Sequence, residues 1–389
     1  MQLRQRLLYM LPVLLLSLAP TSSWAFKINP CLRVLVHDGY VLDQNQIRAS
    51  NLCAYAPGSY RSESVHEHLT NFSIDEYRGT RPRKLFNYMG EKSWTRPPYT
   101  AEHSTSAIIF GSWWNDDPLM YSWGSGKDFR DGLFKLKRQF GEPVRTYAGG
   151  VEGCMVPAID HLGWNSHFGK LQHLHFMTNL EKPAAGADQV RLQAEQLKHT
   201  VDESLLWIEF AYMVAIGKLK PTDPLTAKIE SSLNLPSVAA NYCLSDPSNA
   251  KIRTLFARAG LPIELRNART HDVALGSIFH ILQDSFSPGH TCRVDSKVNG
   301  VHMAVLTEVY NYNAQDHVWH GEQDSYPGWM ITYAKSGEHV YTNDPIAVGA
   351  WLLEAVDKET PWAQVREHLL QTVFYLPKVR PAGRCIGEI

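Results

Sequence analysis

Thr270-His-Asp-Val-Ala-Leu-Gly-Ser-Ile-Phe-His280-Ile-Leu-Gln-Asp284-Ser-Phe-Ser-Pro-Gly-His290-Thr-Cys292 is the stretch on which the reading of this chain turns. His280 and Asp284 are four residues apart, so on a helix both project from one face and can reach one metal ion. The helix is expected to break at Ser287-Pro288-Gly289, where Pro and Gly oppose its continuation. His290 follows the break, and a turned chain can present it to a second ion beside the first.

One such pair means little in a chain with 17 His. A second, His320 and Asp324, follows thirty residues on. Upstream, Gln172-His-Leu-His175-Phe-Met177 sets a histidine in an apolar run, where a hydrogen-bonded core side chain is the alternative. Trp113-Trp114-Asn-Asp116-Asp117-Pro118 puts paired carboxylates among aromatics, and a turn with solvated acids is the alternative there. Val65-His66-Glu-His68-Leu-Thr70 offers two histidines near an expected helix. Thr70 stands where the His-Glu-x-x-His metalloprotease motif needs its second histidine, so that motif is excluded. His199 and Glu203 read as a solvated helix pair.

Helical signals dominate elsewhere. Residues 204–218 are apolar almost all round, as in a buried core helix; Glu209 argues against a membrane span, and Pro221 and Pro224 should end the helix. Asn343-Asp344-Pro345 and Thr360-Pro361 read as starts of helices over 345–357 and 361–374. Strand signals are short, at Leu32–Val36 and Ala107–Phe110. The stretches from Arg78 to Pro98 and from Lys182 to Asp188 read as exposed loops. The expected fold class is mainly α with long loops.

The chain has 389 residues, 44% hydrophobic and 20% charged, which excludes a disordered or low-complexity protein. Arg4 and Arg6, the apolar run Leu7–Ala19 and the small residues before Ala25 read as a removable signal peptide over 1–25. The mature chain then carries 36 basic and 39 acidic residues, a balance of −3 that gives no general attraction to nucleic acid. Six cysteines, Cys31, Cys53, Cys154, Cys243, Cys292 and Cys385, favour disulfides in an exported protein, with fifteen pairings open. None has Cys-x-x-Cys spacing, so a metal must be held by His and carboxylate.

In the order of these elements the chain resembles the zinc-dependent phospholipase C and single-strand-specific nuclease superfamily. The spacing His280-x-x-x-Asp284-x-x-x-x-x-His290 is similar to the central motif of both branches. His66-Glu-His-Leu-Thr-Asn-Phe-Ser-Ile resembles the family's first helix, with His66 in the ligand position and His68 as the alternative; Trp114-Asn-Asp116 resembles its Trp-x-Asp and Leu174-His175-Phe-Met its Leu-His element. The resemblance covers residues 60–330 in motif order, with 331–389 as a helical extension of a single catalytic domain over 26–389. It implies a multi-helix phospholipase C/nuclease-like fold with insertions, holding three zinc ions. Asp116, His175, His280 and Asp284 would hold one ion; His290, His320 and Asp324 a second; His66, Asp284 and the free N-terminal residue a third. Asp284 would bridge, and Asp116 is the candidate general base. Trp24 is the residue whose type fits the family's N-terminal ligand, but it lies 42 residues before His66 and cleavage after Ala25 removes it.

Trp113, Trp114, Tyr121 and Trp123 cluster around Asp116 and could bind substrate or form core. The run Phe279–His290 resembles the phospholipase side, and the exported, cysteine-bearing chain looks like the zinc phospholipases C secreted by Gram-negative bacteria. The expectation is a secreted or periplasmic phospholipase C that meets a phospholipid membrane surface and releases diacylglycerol, with no stable nucleic-acid partner. A single-strand nuclease or 3′-nucleotidase is the alternative, and a non-enzymatic, disulfide-stapled metal-binding surface protein is a third.

Overall fold

A computed structural model describes residues 64–83, 94–95, 102–116, 166–180, 188–225, 251–256 and 262–387. Helices α1 (Val65–Arg78), α2 (Thr105–Gly111), α3 (Gln189–Ala215), α4 (Ile252–Phe256) and α5 (Ile263–Asp284) come before a hairpin of β1 (Thr291–Val298) and β2 (Val301–Val309). Helices α6 (His317–Gln323), α7 (Gly328–Ser336), α8 (Pro345–Asp357) and α9 (Trp362–Gln371) follow, with 3-10 turns at Gln172–His175 and Tyr312–Ala314. The described chain is mainly helical, in agreement with the sequence.

The central element is α5. It follows Pro262, carries Glu264 in its first turn where the helix dipole favours an acid, and is buried continuously from Asp272 to Asp284. Helices α1, α2, α3 and α8 all pack against it. At the crossing with α2 the two backbones touch: a Cβ on Gly276 would lie 2.2 Å from the carbonyl oxygen of Ile108, and one on Gly111 2.2 Å from that of Val273. Glycine at both positions is what allows this approach.

Helix α2 corrects an expectation, since Ala107–Phe110 read as a strand. Ser104 caps it by accepting a hydrogen bond from the Ala107 N–H, and an apolar run that short carries no periodicity to separate helix from strand. Helix α3 begins at Gln189, well before residue 204. Asp188 caps it, and its N-terminal half is polar and largely exposed while the second half enters the core. It ends at Ala215, with Gly217 at φ +72° turning the chain, rather than at Pro221 or Pro224. No helix among the described residues is long and apolar enough to cross a membrane.

Helix α8 starts at Pro345, as the sequence implies: the Asp344 carboxylate accepts from the N–H groups of Ile346 and Ala347. Helix α9 starts after Pro361 and stops at Gln371. The hairpin was not foreseen. Its strands pair Val298 with Val301 across Asn299 (φ +51°) and Gly300 (φ +84°), two left-handed residues as a type I′ turn requires.

Cys292 on β1 is bonded to Cys385, which closes the C-terminal segment onto the hairpin. The other four cysteines, the signal segment, Trp24, Tyr121 and Trp123 lie outside the described residues. The neighbouring Arg293 is buried, and among the described residues no carboxylate pairs with it. Its guanidinium donates to the carbonyls of Ser285, Ala304 and Val373 and to Ser285 Oγ, and it stacks 3.8 Å over Phe286. It thereby holds the C-terminal end of α5, where carbonyls attract a cation.

Candidate metal centre

Three groups of three residues converge in the interior: His66, His280 and Asp284; Asp116, His167 and His175; His290, His320 and Asp324. All nine side chains are buried. In each group the candidate ligand atoms lie within 4.8 Å of one another. Zinc ligands at 2.0–2.2 Å in a tetrahedral arrangement stand roughly 3.3–3.6 Å apart, so the separations suit one ion per group.

Asp284, the last residue of α5, joins the groups. Its Oδ2 lies 2.8 Å from His280 Nε2, 3.0 Å from His175 Nδ1 and 3.7 Å from His290 Nδ1, and its Oδ1 lies 3.4 Å from His66 Nε2. The break after α5 turns the chain so that His290 Nε2 comes 3.9 Å from Asp324 Oδ1. On α6 and the residue after it, the pair of His320 Nε2 and Asp324 Oδ2 closes to 3.3 Å.

Most of the imidazoles are oriented from behind. His280 Nδ1 donates to the Ser112 carbonyl at 2.7 Å, His290 Nδ1 to the His175 carbonyl at 2.6 Å, His66 Nδ1 to Gln283 Oε1 at 2.6 Å and His320 Nδ1 to Gln315 Oε1 at 2.5 Å. Gln283 in turn donates to Thr70 Oγ1, and Gln315 to the Gly289 carbonyl. Ser287 donates to Asp324 Oδ1 at 2.6 Å. With the proton on Nδ1, each Nε2 faces its carboxylate with a lone pair. Lone pair against carboxylate is repulsive unless a cation or a further proton stands between them. Burial argues against the proton: it holds His175 and His290 well below the usual imidazole range, and the neighbouring imidazoles push the same way. Neutral imidazole is the ligating form, so the residues present fit metal ions.

The structure therefore brings together the sequence candidates His66, Asp116, His175, His280, Asp284, His290, His320 and Asp324. The groups overlap: His175, beside Asp116 and His167, also lies 2.9 Å from His280 Nε2 and 3.0 Å from Asp284, the neighbours the resemblance gives it, while His66 stands on the other side of Asp284. His68 turns the other way, to the Tyr326 hydroxyl at 2.7 Å, with burial pushing its pKa down to about 4. His173 is also a buried neutral side chain, pushed down to about 4. His199 meets Asn179 rather than a metal group.

Two candidates for substrate contact are corrected. Trp113 and Trp114 have no exposed surface. Trp114 stacks on Trp207 and donates its indole N–H to the Leu255 carbonyl, because the tight α2–α5 crossing draws the end of α2 into the core. His167 was missed. It has no ligand-type residue four positions away, so helical spacing could not flag it. Gln283 and Gln315 were missed as well, although each stands close in sequence to a histidine–aspartate pair.

No family model, curated protein or solved structure matches this chain.

Proposed function

We propose that the chain is a zinc-dependent phosphodiester hydrolase of the phospholipase C kind, with the multi-helix fold of that superfamily, acting after export. The observation that carries the proposal is the set of three buried histidine–carboxylate groups linked through Asp284. Imidazole and carboxylate ligands suit zinc, and clustered zinc ions would supply charge neutralisation and Lewis acidity for phosphodiester attack. The chain's own residues supply the rest. His66, His280, His290 and His320 are fixed by their Nδ1 partners, so the ligand set is preorganised. Asp116 is the proposed proton acceptor for the attacking water, held beside His167 and His175.

The choice of phospholipid over single-stranded nucleic acid rests on the signal peptide, the −3 balance of the mature chain and the resemblance of Phe279–His290. Burial of Trp113 and Trp114 also removes two residues that could have stacked on bases. The test offers purified mature protein phosphatidylcholine, phosphatidylglycerol and single-stranded DNA, with and without chelator. The expected result is diacylglycerol release, abolished by chelation and restored by zinc. DNA cleavage without diacylglycerol would establish the nuclease reading, and neither product with metal still bound would establish the non-enzymatic one.

A further inference from the structure

We infer that His167 is a metal ligand, which joins Asp116 and His175 in one site. The inference rests on reading the cluster as a metal centre but not on the identity of the substrate.

Three segments distant in sequence are tied together around this group. Asn115 Nδ2 donates to the Leu174 carbonyl at 2.6 Å, which locks the residue before Asp116 to the residue before His175. Ser166 Oγ donates to the Asn115 carbonyl at 3.4 Å and also lies 3.0 Å from His167 Nδ1. That contact engages one nitrogen of His167 and leaves Nε2 on the side of Asp116, 3.9 Å from its Oδ1. The His167 and His175 rings are 4.2 Å apart, and the His167 side chain is almost wholly shielded from water.

His175 is placed between two groups. Its Nδ1 lies 3.0 Å from Asp284 and 2.9 Å from His280 Nε2, while its Nε2, on the far side of the ring, is buried and makes no hydrogen bond. A buried imidazole nitrogen without a partner is costly unless something occupies it. Tyr312 seals the arrangement, with its ring edge-on to both His167 and His320. One carboxylate and two imidazoles make a three-ligand donor set that leaves a position open, as in hydrolytic zinc sites.

The resemblance assigns no role to residue 167, and the ligand that residue adds beside Asp116 and His175 comes from a segment that resemblance does not use. Among the described residues each of the three groups has three side chains.

The test uses mature protein loaded with zinc or cobalt, read by metal content and absorption. Wild type is expected to hold three ions. His167→Ala should lower that content to two. His167→Cys should keep three, and its cobalt form should gain a thiolate-to-cobalt charge-transfer band, which only direct coordination at residue 167 can produce. Three ions in His167→Ala or no such band in His167→Cys would each overturn the inference. A wild type that binds no metal would overturn the metal-centre reading with it. Three ions and the band without phosphodiesterase activity would remove the proposed function alone.

Discussion

An imidazole ligates through one lone pair, so the group on its other nitrogen decides whether it is ready to do so. Gln283 does this for His66 and Gln315 for His320. Gln283→Leu should weaken metal binding roughly 10–100-fold while leaving the fold intact, the usual cost of losing such a partner. Competition against a chromophoric chelator measures it, and unchanged affinity would remove Gln283 from the site. Asp284→Asn should do more: one carboxylate touches four imidazoles, so bound metal and turnover should fall together, and wild-type metal content would sink its bridging role. Asp116→Asn should lower kcat by about 10²–10⁴-fold and also weaken the metal held with His167 and His175, because Asp116 is both the proposed proton acceptor and a ligand of that group. If Asp117→Asn has that effect instead, the base is the neighbouring residue. At this scale the sequence was informative where ligands share a helix turn, as His280 with Asp284 and His320 with Asp324. It was silent on His167, whose partners arrive from other segments.

Elements carry these residues to one place through contacts that pattern alone does not announce. The α2–α5 crossing is one: His280 lies one turn beyond Gly276 and takes its orienting bond from Ser112, one residue past α2. Gly276→Ala inserts a Cβ 2.2 Å from a backbone oxygen, so the helices must separate. We expect about 1–3 kcal/mol of destabilisation, the usual cost of overpacking, together with weaker zinc binding as the Ser112–His280 bond lengthens. Chemical unfolding with and without zinc reads both effects; a variant as stable as wild type in both would show that the close approach is not required. The capping signals were legible, and Asp344-Pro345 places the start of α8 correctly. Ala107–Phe110 was misread because four apolar residues fit either period. The hairpin had a local signal that was not used, Asn299-Gly300 between β-branched flanks, since the helical readings on either side left no strand rhythm to look for.

On the scale of the whole molecule, the segment after the motif core is part of what holds the site. One hydrophobic core runs from Val65 on α1 to Phe374 beyond α9, and Gly349 on α8 lies against Ser73 of α1 and Phe279, the residue before His280. The sequence marked those C-terminal helices by their caps, but only the packing shows that they buttress the ligand-bearing helices. An ionic tie reinforces the arrangement. His339 Nε2 lies 2.9 Å from Glu76 on α1 and its Nδ1 2.7 Å from Asp344, the cap of α8, while Tyr333 of α7 donates to Glu76. Burial works against a charged imidazole here, but the two carboxylates outweigh it and push the pKa of His339 from 6.5 up to about 10. Asp344 is shifted the other way from what an imidazolium neighbour alone would produce: burial holds its carboxyl above the usual range. Part of the attraction is therefore consumed in desolvating Asp344, and the pair contributes less than the imidazole shift alone suggests. The folded pKa of His339 lies above the unfolded one, so its stabilisation is complete below about pH 6.5 and drains away as the pH rises through about 10. Thermal melts of wild type and His339→Gln should thus differ most near pH 6, with the gap narrowing steadily above neutrality and nearly closed at about pH 10.5. A gap that stays constant over that range would show that His339 is not held as a cation between α1 and α8.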